Sequence, residues 1–396
     1  MRLVLVNVRY SANLGDGLLA ECLEHALRSS SEGLSVSTID LAGRLAYGHG
    51  GISNRRRVLA LLELAPPPVR RWLVGQILTY LVDKRLRPRW RDELAGADAA
   101  VVGGGNLLAD ADLNFPLKIA GAMAECAKLG VAVAVHGVGV SDNWSKRARE
   151  LFLKAFGDVA LLQASVRDER SQAIWDRSLA SAGLPAAVVC HDPAVLTSRF
   201  FPVTRAAGGG RSVAIGVTSP LALRYHGGRG PATTQAFSDW LMSVTQLLTA
   251  SGWRVTFFTN GSGEDIDFLE ALKPKLQAIG QGVAFEAPFK HPGELATFVG
   301  RQDFVLAHRL HACIAAYSYA VPHIGFRWDP KLDSFFESVG RRDFVLTAGD
   351  GPAEELMAMM ERALAVGIDP ETHKFHLDCT AEEIGQLAAR LESLSA

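Results

Sequence analysis

Short apolar runs alternate with stretches of helical periodicity along the chain. The first run covers residues 3–8 and predicts a strand. After a polar loop, apolar residues recur at the spacing of one helix face: Leu18, Leu19, Cys22, Leu23, Ala26 and Leu27. This spacing predicts a helix over 17–28. Further strands are predicted at 99–102, 131–135, 159–162 and 187–190. Such alternation is typical of a parallel sheet with crossover helices.

The pattern is interrupted once and then restarts. Pro202 and three glycines at 208–210 mark a break, so 201–211 is the predicted linker. Strands are then predicted at 212–217, 253–258, 304–307 and 322–326, with helices at 232–250, 264–279, 309–319, 330–339, 352–367 and 380–394. We therefore expect an α/β protein with two αβ domains, 1–200 and 212–396, that face each other across a cleft.

Composition and charge narrow the class of protein. The chain has 396 residues, and its 48% hydrophobic content excludes an intrinsically disordered protein. Because 41 basic residues balance 42 acidic ones, no overall field attracts nucleic acid. Five scattered cysteines disfavour a disulfide framework, and the absence of an H-E-x-x-H motif or another close metal cluster disfavours a metal site. No apolar run is long enough to span a membrane, so we predict a cytoplasmic protein. We also predict that it contains no metal and no cofactor.

One segment departs from this balance. Residues 55–91 contain ten basic side chains and only two acidic ones, a local net charge of about +8. Apolar residues lie between the charges, so one interpretation is an amphipathic segment that contacts anionic lipid at the inner membrane surface. The alternative is a solvated helix whose apolar face packs in the core.

The most informative chemistry follows two strands of the second half. Arg309-Leu310-His311 opens a predicted helix, and Lys331 follows the next strand. Arg309 offers a planar fork for carboxylate or phosphate, Lys331 a compact charge, and His311 a proton donor near neutral pH. Because ligands bind at the carboxyl ends of parallel strands, these residues indicate an anion site. The alternative is that Arg309 pairs with an interdomain carboxylate and His311 is a hydrogen-bonded core residue.

Several loops of the first half occupy equivalent positions. They contain Asn13-Leu14-Gly15-Asp16, Gly103-Gly104-Gly105-Asn106, Arg167-Asp168 and His191-Asp192-Pro193. Glycines permit tight turns and close ligand approach. Each loop also has a purely structural interpretation, because such residues shape turns and cap helices.

Taken in order, these motifs resemble the polysaccharide pyruvyl transferase family. The resemblance extends from residue 7 to about 340 and rests on Asn13-x-Gly15-Asp16, Gly103-Gly104-Gly105-Asn106, Ser165-Val166-Arg167-Asp168 with Ser171, Asp192-Pro193, Arg309-Leu310-His311, Pro322 with Gly325, and Lys331. It implies two Rossmann-like domains similar to B-type glycosyltransferases, with the acceptor on the first and the donor on the second. This sequence departs from the family at Gly137-Val138-Gly139-Val140, where a Gly-Pro-aromatic loop is common.

The resemblance also implies an activity: transfer of pyruvate from phosphoenolpyruvate to a sugar diol as a ketal, with release of phosphate. It assigns donor binding to Arg309, Arg167 and Lys331, and acid catalysis to His311. It assigns acceptor or loop positions to Asn13, Gly15, Asp16, Gly104, Gly105, Asn106 and Asp192. The expected acceptor is a sugar or lipid-linked oligosaccharide. Two other functions stay open: a nucleotide-sugar glycosyltransferase of the same fold, and a non-catalytic carbohydrate-binding subunit of a polysaccharide-assembly complex.

Overall fold

The structure is a computed structural model that describes residues 1–48, 67–204, 211–227, 233–349 and 351–393. Residues 205–210 of the predicted linker and residues 55–66 of the basic segment lie outside the described residues.

The first six strands form one parallel sheet in the order β2-β1-β3-β4-β5-β6. The strands are β1 Arg2–Asn7, β2 Ser35–Asp40, β3 Ala99–Gly103, β4 Ala132–Val138, β5 Leu161–Val166 and β6 Ala187–Val189. The helices around it are α1 Leu14–Ser30, α2 Pro67–Leu81, α3 Arg87–Leu94, α4 Asn114–Leu129, α5 Lys146–Gly157 and α6 Glu169–Ser178. A π-helical turn, Val82–Leu86, joins α2 to α3. The central strands β1, β3 and β4 are almost fully buried, as expected for a sheet covered on both faces.

The other six strands form a second parallel sheet in the order β12-β11-β10-β7-β8-β9. They are β7 Ser212–Gly216, β8 Arg254–Phe258, β9 Val283–Phe285, β10 Phe304–Ala307, β11 His323–Phe326 and β12 Val345–Leu346. The helices are α7 Thr197–Phe200, α8 Pro220–Gly227, α9 Thr234–Ala250, α10 Gly263–Gln277, α11 Pro292–Gly300, α12 Leu310–Ser318, α13 Pro330–Ser338, α14 Ala353–Val366 and α15 Pro370–Glu392.

Each sheet has one point at which its strand order reverses. In the first sheet this point lies between β1 and β3, and in the second between β7 and β10. Neighbouring crossovers leave on opposite faces there, so a ligand crevice is expected at the carboxyl ends of those strands. The loops after β3 and β10 contain Asn106 and Arg309, respectively.

The chain forms two compact units, one around each sheet. Unit 1 comprises Met1–Ser11, Leu19–Pro193 and Ala381–Ala396, and unit 2 comprises Ala12–Leu18 and Ala194–Thr380. This grouping differs from the predicted boundaries at two places. The start of α1 belongs to unit 2 because Leu14 N donates to Asn260 O at 2.7 Å. The end of α15 belongs to unit 1, where Glu383 accepts a bond from His191 N.

In the described part of the basic segment, some basic side chains are paired with carboxylates and others are exposed. Arg87 and Arg91 bind the buried carboxylate of Glu125, and Arg89 binds Glu93 at 2.7 Å. Lys84 and Arg85 are exposed. On α2, Ile77 is 48% and Tyr80 65% exposed, so apolar surface lies beside these two cations. Among the described residues, no helix combines the length and apolarity needed to cross a membrane.

Candidate functional site

In unit 1, Arg167 and Asn106 converge on the backbone of Gly139. A Cβ placed on Gly139 would lie 2.4 Å from Nη2 of Arg167 and 2.7 Å from Oδ1 of Asn106. Glycine therefore makes room for both side chains after β4. Asn106 Nδ2 also donates to Ser141 Oγ at 3.0 Å. The ends of β3, β4 and β5 thus bring an amide, a hydroxyl and a guanidinium to one place.

The loop that presents Arg167 is fixed by the start of α6. Asp168 is the N-cap, and its Oδ1 accepts from Ser171 N at 2.6 Å. Ser171 Oγ in turn accepts from Val140 N at 3.0 Å. The Arg167 side chain is 8% exposed, and its Nε lies 3.4 Å from Asp168 Oδ2 without a hydrogen bond. Asp168 therefore caps a helix, which confirms its structural interpretation. The Arg167 side chain is largely buried.

The glycine loop after β3 is a tight turn. Gly104 has a φ of +72°, and a Cβ there would lie 1.7 Å from Cδ2 of Leu19. Its N–H donates to His136 O at 3.0 Å. Gly105 also has a positive φ, with open space around it. Only glycine satisfies both the turn and the close approach of α1 at Gly104.

Asp192 lies among buried titratable groups beyond this loop. It is 6% exposed, and its charge acts on His136, a fully buried residue of β4. Burial lowers the pKa of His136 to about 4, although Glu383 and Asp192 both oppose the shift. His136 is therefore neutral near pH 7. His191, beside Asp192, contacts Glu383 through Nδ1 at 2.9 Å.

In unit 2, Arg309 is bound to Asp265, a residue of the first turn of α10. Arg309 donates from Nε at 3.0 Å and from Nη2 at 2.6 Å to Oδ2 of Asp265. The other oxygen, Oδ1, accepts from Ser219 N at 2.9 Å. Burial raises the pKa of Asp265, and the Arg309 charge opposes that shift. Arg309 thus has a carboxylate partner, as the structural alternative predicted, but that partner lies in the same unit and not in the other domain.

Trp328 brings Arg309 and Lys331 together. The Arg309 Cζ lies 5.9 Å and the Lys331 Nζ 4.8 Å from the centre of the Trp328 ring. The indole is fixed because its N–H donates to His308 O at 2.6 Å. Lys331 Nζ also lies 3.1 Å from Oδ2 of Asp329, the N-cap of α13. Two cations and an aromatic ring therefore form one cluster at the ends of β10 and β11, with each cation beside a carboxylate.

His311 packs against the glycine loop at the start of α1. A Cβ on Gly15 would lie 2.7 Å from the Cβ and 2.9 Å from Nδ1 of His311. Asn13 Oδ1 accepts from Gly15 N at 3.3 Å, and Asp16 lies in the first turn of α1. The first turns of α1 and α12 are therefore in contact, and their N-terminal dipoles favour an anion nearby. His311 is 6% exposed.

The structure divides the predicted residues between the two units. Arg167, Gly104, Gly105, Asn106 and Asp192 lie in unit 1, whereas Arg309, His311 and Lys331 lie in unit 2 with Asn13, Gly15 and Asp16. Sequence reasoning missed three residues around Arg309: Asp265, Ser219 and Trp328. A sequence signal existed for two of them, since Asp265 opens a helix after a strand and Trp328 directly precedes Asp329-Pro330-Lys331. Among the described residues, no group of acidic, histidine or cysteine side chains has metal-binding geometry.

Comparison with solved structures identifies the class of fold. The putative UDP-N-acetylglucosamine 2-epimerase of Listeria monocytogenes is similar over 99% of this chain and 96% of its own, with a TM-score of 0.59 and 12% identity. The UDP-GlcNAc 2-epimerase of Methanocaldococcus jannaschii is similar over 98% and 100%, with a TM-score of 0.56 and 11% identity. These values establish a shared fold, which is that of the B-type glycosyltransferases. A shared fold does not by itself imply a shared activity.

Comparison with protein families is more specific. The family model described as polysaccharide pyruvyl transferase matches residues 13–330. The chain therefore belongs to the polysaccharide pyruvyl transferase family, which confirms the resemblance drawn from its motifs. None of the curated proteins compared with the chain matches it significantly.

Proposed function

We propose that this protein transfers pyruvate from phosphoenolpyruvate to two hydroxyls of a sugar, forming a pyruvate ketal and releasing phosphate. The observation that carries the proposal is the cluster of Arg309, Lys331 and Trp328, with His311 two residues after Arg309, in a chain of the polysaccharide pyruvyl transferase family. The donor is a small trianion without a base or ribose. A compact site with a guanidinium, an ammonium and two helix N-termini suits such a ligand.

The chemistry balances without a cofactor. C3 of phosphoenolpyruvate gains a proton, which makes C2 electrophilic. One sugar hydroxyl adds to C2 and loses its proton, the bond between C2 and the phosphate oxygen breaks, and the second hydroxyl closes the ring and loses its proton. The two protons released match the one taken by C3 and the one taken by the departing phosphate. Proton transfer and charge stabilisation are thus the tasks that remain for the protein.

The residues divide these tasks by their chemistry. In this proposal Arg309 and Lys331 bind the carboxylate and phosphate of the donor, and His311 delivers the proton to C3. The family resemblance also assigns Arg167 to donor binding, and within unit 1 Asn106 with Ser141 offers an amide and a hydroxyl to the acceptor. The acceptor is a sugar or a lipid-linked oligosaccharide. Support for this division comes from the grouping of these side chains at the strand ends of each sheet.

Thermal unfolding with phosphoenolpyruvate tests the proposal without a known acceptor. A ligand at about one hundred times its dissociation constant adds about 2.7 kcal/mol to the free energy of unfolding. We expect phosphoenolpyruvate to raise the Tm and R309A to abolish the rise. H311A should keep the rise but lose phosphate release once an acceptor is found, because the imidazole acts on the proton and not on the anion.

A panel of nucleotide sugars serves as the comparison. A rise in Tm with a nucleotide sugar and none with phosphoenolpyruvate contradicts pyruvyl transfer and supports a glycosyltransferase. No rise with either ligand contradicts both and supports a non-catalytic carbohydrate-binding subunit. Normal turnover by H311A removes His311 from the mechanism.

A further inference from the structure

We propose that Asp265 is a positioning residue that presents the guanidinium of Arg309 to the phosphoenolpyruvate anion, a role that rests on the proposed function. The sequence places Asp265 at the start of a helix but does not pair it with Arg309, since 44 residues separate the two. The inference comes from the way the two side chains are joined.

The two hydrogen bonds to Asp265 occupy the Nε side of the Arg309 guanidinium and not the end formed by its two terminal nitrogens. Arginine has five N–H donors in a planar fork. Asp265 Oδ2 accepts from Nε and from one N–H of Nη2. One N–H on each terminal nitrogen then points along the end of the fork. That parallel pair is the arrangement that binds a carboxylate or phosphate with two bonds.

Asp265 is itself fixed, so it is able to fix its partner. Its side chain is fully buried, and its second oxygen accepts from Ser219 N in the loop after β7. Arg309 leaves the neighbouring strand β10. The carboxylate therefore joins the two strands at which the sheet order reverses, where a ligand crevice is expected. The nearby face of Trp328 restricts the guanidinium further.

This arrangement explains why a carboxylate lies next to an anion site. A lone arginine has many rotamers, and ordering it on binding costs conformational entropy. Asp265 orders Arg309 before the donor arrives. Lys331 lies beside Asp329, but both side chains are about one fifth exposed and the ammonium carries no planar fork. Asp265 therefore matters more for donor orientation than Asp329 does.

The test is a double-mutant cycle of Asp265 and Arg309, in which titration calorimetry measures the Kd of phosphoenolpyruvate. D265N keeps the shape of the side chain and removes its charge, and we expect a Kd about tenfold or more higher. In the R309K background, where no planar fork is left to orient, the same substitution should change the Kd less than about threefold. D265E keeps the charge but moves it, so it should weaken binding with a smaller loss of Tm.

E125Q is the matched control, because it removes a buried, arginine-bound carboxylate from unit 1 and should leave the Kd unchanged. An equal fold-change from D265N in both backgrounds, or a Kd within threefold of wild type in D265N and D265E, overturns the positioning role. In either case the wild-type protein still binds phosphoenolpyruvate, so the proposed function survives. A wild-type protein that does not bind phosphoenolpyruvate overturns the function and the positioning role together.

Discussion

At the residue scale, the absence of a side chain at Gly139 allows Arg167 and Asn106 to pack next to each other. Its φ is not in the left-handed region, so the backbone accepts alanine, but the added Cβ would overlap the Arg167 guanidinium. We expect G139A to stay folded and to lower kcat/KM about 10- to 100-fold, since small displacements of a binding group have effects of this size. Steady-state phosphate release measures it.

A second glycine in the same unit provides the control for G139A. Gly157 ends α5 with open space around its Cβ position and no positive φ. G157A should therefore match the wild type in activity and in Tm. Equal activity in G139A and G157A contradicts the placement of Arg167 in the reaction.

The sequence predicted which loops carry chemistry but not the partners within them. Arg167, Arg309 and Lys331 stand directly after strands, and strand ends are readable from apolar runs. The pairing of Asp265 and Trp328 with Arg309 is not readable in this way, because only the strand order brings these residues together. The correct family assignment came from the order of several weak motifs.

At the element scale, α3 and α4 are joined through one carboxylate. Arg87, Arg91 and Lys128 contact Glu125, whose side chain is fully buried. Burial opposes the charge of Glu125, but hydrogen bonds from the three cations outweigh it and lower the pKa to about 2. Removing such a carboxylate leaves cations without their partner, which is costly.

We expect E125Q to lower the free energy of unfolding by about 2–3 kcal/mol at pH 7. The folded pKa lies below the unfolded value of 4.5, so this contribution is complete above pH 4.5 and is lost as the pH falls towards 2. Urea unfolding at several pH values measures it. A constant difference between wild type and E125Q from pH 7 to pH 3 contradicts the ionised cluster.

The helix α2 is the described part of the chain that best suits a lipid surface. Exposed Ile77 and Tyr80 lie near exposed Lys84 and Arg85, a pattern typical of helices that bind anionic headgroups. We expect the protein to float with vesicles containing anionic lipid and not with neutral ones. I77S/Y80S should reduce flotation, whereas L221S, which removes an exposed leucine in unit 2, should not. Equal flotation with both vesicle types contradicts the hypothesis.

Elements at the sheet edges were the hardest to predict. The strands β2, β9 and β12 were all missed. The strand β2 has the sequence SVSTID with exposed residues among its first four, and β12 has only two residues. Edge strands bury one face, so they lack the continuous apolar run that identifies a central strand. The helix α15 begins ten residues earlier than expected because its first turns are polar and largely exposed.

At the scale of the whole molecule, two helices each contribute to both units. Only the first residues of α1 belong to unit 2, whereas the second half of α15 belongs to unit 1. Neither exchange is readable from periodicity, because an amphipathic pattern shows that a face is buried and not which sheet buries it. The two sheets lie on either side of residues 201–211, whereas α1 and α15 are each divided between the units.

The end of α15 makes a testable contribution to unit 1. Leu387 is 1% exposed, whereas Phe375, earlier in the same helix and in unit 2, is 60% exposed. L387A should cost about 2–5 kcal/mol, and F375A should stay within about 0.5 kcal/mol of wild type. Because stability is distributed in cooperative segments, hydrogen exchange resolved by peptide should rise in L387A across β4, β5 and β6 and not across β7, β8 and β10. Faster exchange confined to the second sheet would place Leu387 in unit 2 and contradict the division of the chain.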